Sequence, residues 1–236
     1  SSASLIPPIF EYAYAIPATF IGLTPVLMLS KFLFPSILFL LVYFFVFSVL
    51  TQNKNGNNVF EKWCAVTAAL LVLLGPDATN AGLIQEWLSG GIDEARSLIW
   101  TRNMNPIIGG MLLFGFLLLY WRTGAPHWWK RIIMGVALAL SVGYFFSFAM
   151  IACILGVSTL LHLAGKDWRA LFDDIIVWGI GLTLSLPYWI HALLSMQNHE
   201  GALLAQRTGL EYTHEPVINL FTLAITICIG VLFLVS

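Results

Sequence analysis

The chain has 236 residues, of which 59% are hydrophobic and only 10% charged, with a formal net charge of -1 and a mean hydropathy of +0.86. A soluble domain carries roughly 25% charged residues, so this chain has too few charges to cover a water-facing surface and suits a lipid-solvated exterior. With that near-neutral balance nothing suggests nucleic acid as a partner.

Taken in order, the apolar runs predict an all-α, polytopic bundle of about eight membrane segments within a single transmembrane domain, 1–236. They lie near 8–29, 32–51, 59–75, 106–121, 132–146, 147–164, 175–193 and 217–236. A span needs about 20 apolar residues. Helix is the expected form because these runs lack the polar–apolar alternation of barrel strands. The chain opens "SSASLIPPIF" and closes "CIGVLFLVS" without charged anchors, which suggests a piece of a longer protein.

The first polar turn, "NKNGNN" at 53–58, separates the second and third runs. Gly75-Pro76 ends the third, and Asp77 then emerges at the interface. The stretch 76–105 is expected to be external. Within it, Leu83, Ile84, Trp87, Leu88, Ile92, Ala95, Leu98 and Ile99 recur near helical spacing, and Gly90-Gly91 interrupts them. That pattern predicts two short amphipathic helices on the membrane face; the competing reading is a simple loop helix packed on neighbouring spans. Asn105 is placed to cap the next span, with Pro106 in its first turn. Arg102 adds a planar fork of donors beside the positive end of that helix. Arg102, Arg96 and Asn105 therefore form a candidate anion site for a lipid phosphate. The competing reading is a plain helix start with Arg102 as a headgroup anchor.

"TGAPHWWKR" at 123–131 reads as a turn followed by an interfacial anchor of Trp128, Trp129, Lys130 and Arg131. The run 132–164 is too long for one pass: at about 1.5 Å per residue it measures about 50 Å, against a core of about 30 Å. A short helix pair turning near Ser141–Ser147 around Gly143 resolves this and brings both basic flanks to one side; the alternatives are one long tilted helix or a re-entrant pair buried in protein. Lys54, Lys62, Arg122, Lys130, Arg131, Lys166 and Arg169 then face the cytoplasm, with Lys31, Arg96, Arg102 and Arg207 opposite. Asp173 and Asp174 stand at a cytoplasmic helix start, where acids suit the dipole.

The second external stretch, 194–216, offers His199, Glu200, Arg207, Glu211, His214 and Glu215. Histidine beside carboxylate suits acid–base work, although a solvated loop is the ordinary reading. Within spans, Glu11, His162 and His191 stand out, each close enough to an end to reach the interface. No metal motif is present, the three cysteines sit singly in apolar runs, and no cofactor is indicated.

The amphipathic external loop, "R-x-x-N-P" at 102–106, "G-Y-F-F-S-F" at 143–148 and "S-L-P-Y-W" at 185–189 together resemble the GT-C superfamily of lipid-linked-sugar glycosyltransferases. The resemblance covers roughly residues 60–193 and implies an integral enzyme of the bacterial inner membrane using a polyprenyl-phosphate sugar donor at its external face. It implies Asp77 as the catalytic carboxylate, acting as base or metal ligand, and Arg102, then Arg96, as holders of the lipid phosphate. The family's acid sits in a large loop after the first span, whereas this chain has only the region around Lys31 there. The alternatives are a non-catalytic subunit of a larger membrane complex, with other membrane subunits as partners, and, third, a transporter.

Overall fold

The computed structural model describes Phe10 and residues 12–51, 59–74, 105–121 and 128–196. The chain divides into two compact units, Ser1–Ser195 and Met196–Ser236, and all described residues but Met196 belong to the first. Among the described residues the protein is all-helical. Its elements are α1 (Tyr12–Ile21), α2 (Leu23–Thr51), α3 (Val59–Leu74), α4 (Asn105–Trp121), α5 (Trp128–Ser141), α6 (Phe145–Ala164) and α7 (Trp168–Met196). Three of these helices, α2, α6 and α7, are long and apolar enough to cross a membrane. Together they mark a helical membrane protein.

The N-terminal boundaries differ from the sequence expectation. The runs 8–29 and 32–51 do not break around Lys31, which lies exposed inside α2. The break falls at Gly22, whose φ of 87° lies in the left-handed region. The Gly22 amide donates to Ala18 O at 2.9 Å. Glycine adopts that conformation at no steric cost and commonly ends a helix. Tyr14 then packs edge-on against Phe34, ring centroids 5.5 Å apart, so α1 folds back along α2. Composition alone misplaced this turn because both sides of it are equally apolar.

The 132–164 run does form a helix pair. α5 begins earlier than expected, at Trp128, and the chain reverses through residues 142–144 into α6. α7 is longer than the predicted 175–193. It is 29 residues, starts at Trp168, contains Pro187 and continues through the first residues assigned to the 194–216 loop. The amphipathic stretch 76–104, the last run 217–236 and the remainder of the 194–216 loop lie outside the described residues.

Two apolar clusters hold the bundle. The first gathers Phe10, Tyr14, Val26, Leu38, Val42, Ala69, Ile107 and Ile108 from α1 to α4. The second gathers Phe116, Met134, Ala137, Leu138, Ile151, Leu155 and Val177 from α4 to α7. Leu112 of α4 packs against both, making α4 the shared element. In lipid, helices associate by close packing rather than by the hydrophobic effect, and small residues permit it. Gly135 and Gly181 do so between α5 and α7. A Cβ on Gly135 would stand 2.6 Å from Ile180 Cβ, and one on Gly181 2.8 Å from Leu138 Cγ.

Candidate functional site

The bundle has two distinguishable ends. At the end where α5 turns into α6, a Cβ on Gly109 of α4 would collide with Ser147 Oγ and the Tyr144 ring. The start of α4 is therefore seated against that turn. Phe10 covers the same turn from the other side, within 3.0–3.2 Å of where a Gly143 Cβ would sit. Phe148 of α6 meets Trp189 of α7 at 5.3 Å between centroids, and Tyr188 meets Trp189 at 5.2 Å. The chain thus enters α4 and runs out along α7 at one common end, called here the turn end.

α4 begins at Asn105, as its Asn-Pro start predicts, with Ile107 and Ile108 buried immediately after. The Asn105 side chain lies outside the described residues, as do Asp77, Arg96, Arg102, His199, Glu200, Arg207, Glu211, His214, Glu215 and Glu11. The start of α4 and the far part of α7, which flank most of these residues in the chain, lie at the turn end. His191 is exposed on α7 just beyond Trp189.

The opposite end carries a polar cluster that the sequence reading treated as separate helix ends. α6 presents Ser158, Thr159 and His162, and α7 presents Asp174 and Trp178. Residues three or four apart share a helix face, so each helix offers one polar stripe within an apolar surface. Asp174 is 5% exposed and is the centre of the cluster. Its Oδ2 lies 2.9 Å from His162 Nδ1, 3.2 Å from Ser158 Oγ and 3.4 Å from Thr159 Oγ1. The Tyr120 hydroxyl of α4 contacts Ser158 Oγ, and Trp178 Nε1 donates to Thr159 Oγ1 at 3.3 Å.

Counting protons orders the cluster. A carboxylate only accepts, so Ser158 spends its one proton on Asp174 and accepts from Tyr120. Thr159 Oγ1 has the closer acceptor in Leu155 O, at 2.7 Å, and takes the Trp178 proton on its lone pair. His162 carries its proton on Nδ1, a tautomer assigned from the network, which leaves Nε2 as an acceptor on a ring 30% exposed. Ser158 and Asp174 both face Nδ1, at 3.4 and 2.9 Å. A nucleophilic triad needs serine and carboxylate on opposite ring nitrogens, so this is a structural dyad rather than a hydrolase site.

Beside it, Arg131 of α5 is ion-paired with Asp173. Asp173 and Asp174 therefore do not serve the α7 dipole: no acid lies in the first turn of that helix. Its amino end is capped by Asp167, whose Oδ1 accepts from the Ala170 amide at 3.1 Å. Burial pushes the Lys130 ammonium below its usual value, and the Asp173 carboxylate offsets part of that. Among the described residues no group of three or more histidines, cysteines and acids stands ready for a metal ion.

The sequence signal for this cluster was the spacing of Ser158 and His162, and of Asp174 and Trp178, each four apart in otherwise apolar helices. Pattern alone does not say that the two stripes face each other. Comparison with protein-family models, with curated proteins and with solved structures found no match for this chain.

Proposed function

We propose that the chain is a multi-pass, glycosyltransferase-like protein of the bacterial inner membrane, with about eight membrane segments. It acts on a polyprenyl-phosphate-linked sugar at its external face. The observation that carries this reading is the common end of α4 and α7. The segment holding Asp77, Arg96 and Arg102 leads into α4 where the start of that helix meets the α5–α6 turn. The segment holding His199 to Glu215 follows α7, whose Trp189 packs at the same turn. The two polar stretches that the sequence marks as external are thus joined to one end of the bundle. The start of α4 at Asn105 supplies a helix amino terminus for an anion, with Arg102 and Arg96 as the phosphate holders and Asp77 as base.

The second cluster supports this reading over transport. Phe116, Leu138, Ile151 and Leu155 are fully buried between the two ends. Ser141 and Ser185, buried at the same level, spend their hydroxyl protons on their own helix backbone, at Leu138 O and Leu182 O, whereas transporters bind substrate at a polar midplane site. A non-catalytic subunit is the second reading, favoured by the bare faces of α1 and α2, where Phe20 is 83% and Phe32 78% exposed.

The test is reconstitution of the purified chain in nanodiscs with undecaprenyl-phosphate sugar, reading bound lipid by native mass spectrometry and transfer with labelled donor. Binding that falls about tenfold in Arg102→Ala, a change of about 1.4 kcal/mol, supports the enzyme reading. Full donor binding in that variant sinks it. Stable transfer by the chain alone excludes the subunit reading.

A further inference from the structure

We propose that Asp173 and Asp174 form a register key that docks α7 onto α5 and α6 in a single rotational setting. The reasoning does not depend on the transferase reading. Neighbouring residues on a helix point about 100° apart, and here the two acids answer to different helices. Asp173 meets Arg131 of α5, and Asp174 meets His162 and Ser158 of α6. Tyr120 extends the contact to α4 through Ser158.

Apolar contacts alone do not choose this setting. Lipid tails solvate leucine and isoleucine as well as another helix does, so packing in a bilayer discriminates weakly among rotations. Gly135 and Gly181 let α5 and α7 approach closely. They set the distance, while the acids set the face. Rotating α7 by one position aims Asp174 towards lipid or strands His162 and Ser158 without an acceptor. An acid facing the hydrocarbon is costly, and such residues turn to the bundle interior and pair there. One-of-a-kind polar contacts that fix helix register are the best-attested use of buried ion pairs. The consequence lies at the turn end: the key at the start of α7 decides which of its aromatic residues meets Phe148, and there it is Trp189.

Cysteine cross-linking in the full chain tests this, with Cys64, Cys153 and Cys228 replaced by alanine. The native pair is Phe148→Cys with Trp189→Cys, and the displaced pairs are Phe148→Cys with Tyr188→Cys or Ile190→Cys. A control pair away from α7 is Phe45→Cys with Phe114→Cys, whose parent rings lie 6.2 Å apart. In the double variant Asp173→Leu/Asp174→Leu the native cross-link is expected to fall about tenfold relative to the displaced ones, with the control unchanged. Asp174→Asn, which keeps an acceptor for Ser158, is expected to retain the native pair. Three results overturn the proposal: an unchanged native cross-link in the double leucine variant, equal loss of native and control pairs, or an asparagine variant as scrambled as leucine.

Discussion

His162 Nδ1 lies 2.9 Å from Asp174 Oδ2, joining the last turn of α6 to the start of α7 across a tight connection. That connection is built from Gly165, Lys166 in the left-handed region at φ 55° and Asp167 as the cap of α7. The contact is possible because the Asp167 amide returns to His162 O at 2.9 Å, wrapping the turn back over the helix end.

Asp174 is expected to matter more for stability than any other polar residue at this end. Asp174→Ala removes the acceptor of both His162 and Ser158 and leaves those groups facing a gap. An unsatisfied buried donor costs about 1–3 kcal/mol. Thermal unfolding in detergent micelles should show a clear drop in midpoint, and an unchanged midpoint contradicts the network as drawn.

His162→Gln should be milder, because the ring is partly exposed and contributes a single hydrogen bond, a net effect of about 0.5–1.5 kcal/mol. A separate readout concerns the proton itself. Nitrogen-15 spectra of the neutral imidazole should show hydrogen on Nδ1, the minor form for free histidine. Hydrogen on Nε2 instead contradicts the His162–Asp174 hydrogen bond as assigned.

Glycine substitutions along α5 and α7 should divide by position rather than by helix. Gly135→Ala drives its new methyl into Ile180 and Gly181→Ala into Leu138, and overpacking of this kind costs about 1–3 kcal/mol. Gly179→Ala meets nothing within 4 Å and should be neutral, or stabilising by about 0.5–1 kcal/mol through helix propensity. Equal effects at Gly179 and Gly181 in a denaturation series count against the α5–α7 packing described.

Gly22→Ala places a side chain on a left-handed backbone, at a cost of about 1–2 kcal/mol. The strain is relieved by straightening α1 into α2, which separates Tyr14 from Phe34. A paramagnetic label near residue 14 read against residue 34 should report a longer distance in the variant. An unaltered distance with unaltered stability rules out the Gly22 turn.

Much of the fold was visible from periodicity and punctuation. The polar residues 53–58 and Gly75-Pro76 bracket α3 in the sequence, Asn105-Pro106 opens α4, and length against bilayer thickness splits 132–164 into α5 and α6. Gly22 was missed because a glycine between equally apolar runs leaves no change in composition. Asp173 and Asp174 were assigned to a dipole because acids near a basic loop fit that role locally. His162 was set aside as a residue near a helix end.

The sequence by itself determined that this is a helical membrane protein and where α3, α4 and α6 begin and end, because apolar run length and helix-stopping residues are local properties of the chain. Tertiary structure alone decided the partners. Ser158 and Asp174 are 16 residues apart and meet because α6 and α7 turn matching polar stripes towards each other. The start of α4 and the far part of α7 share an end because α5 reverses into α6 beside the start of α4. Which stripes face each other depends on packing at Gly109, Gly135 and Gly181, where the fit is set by neighbours distant in sequence.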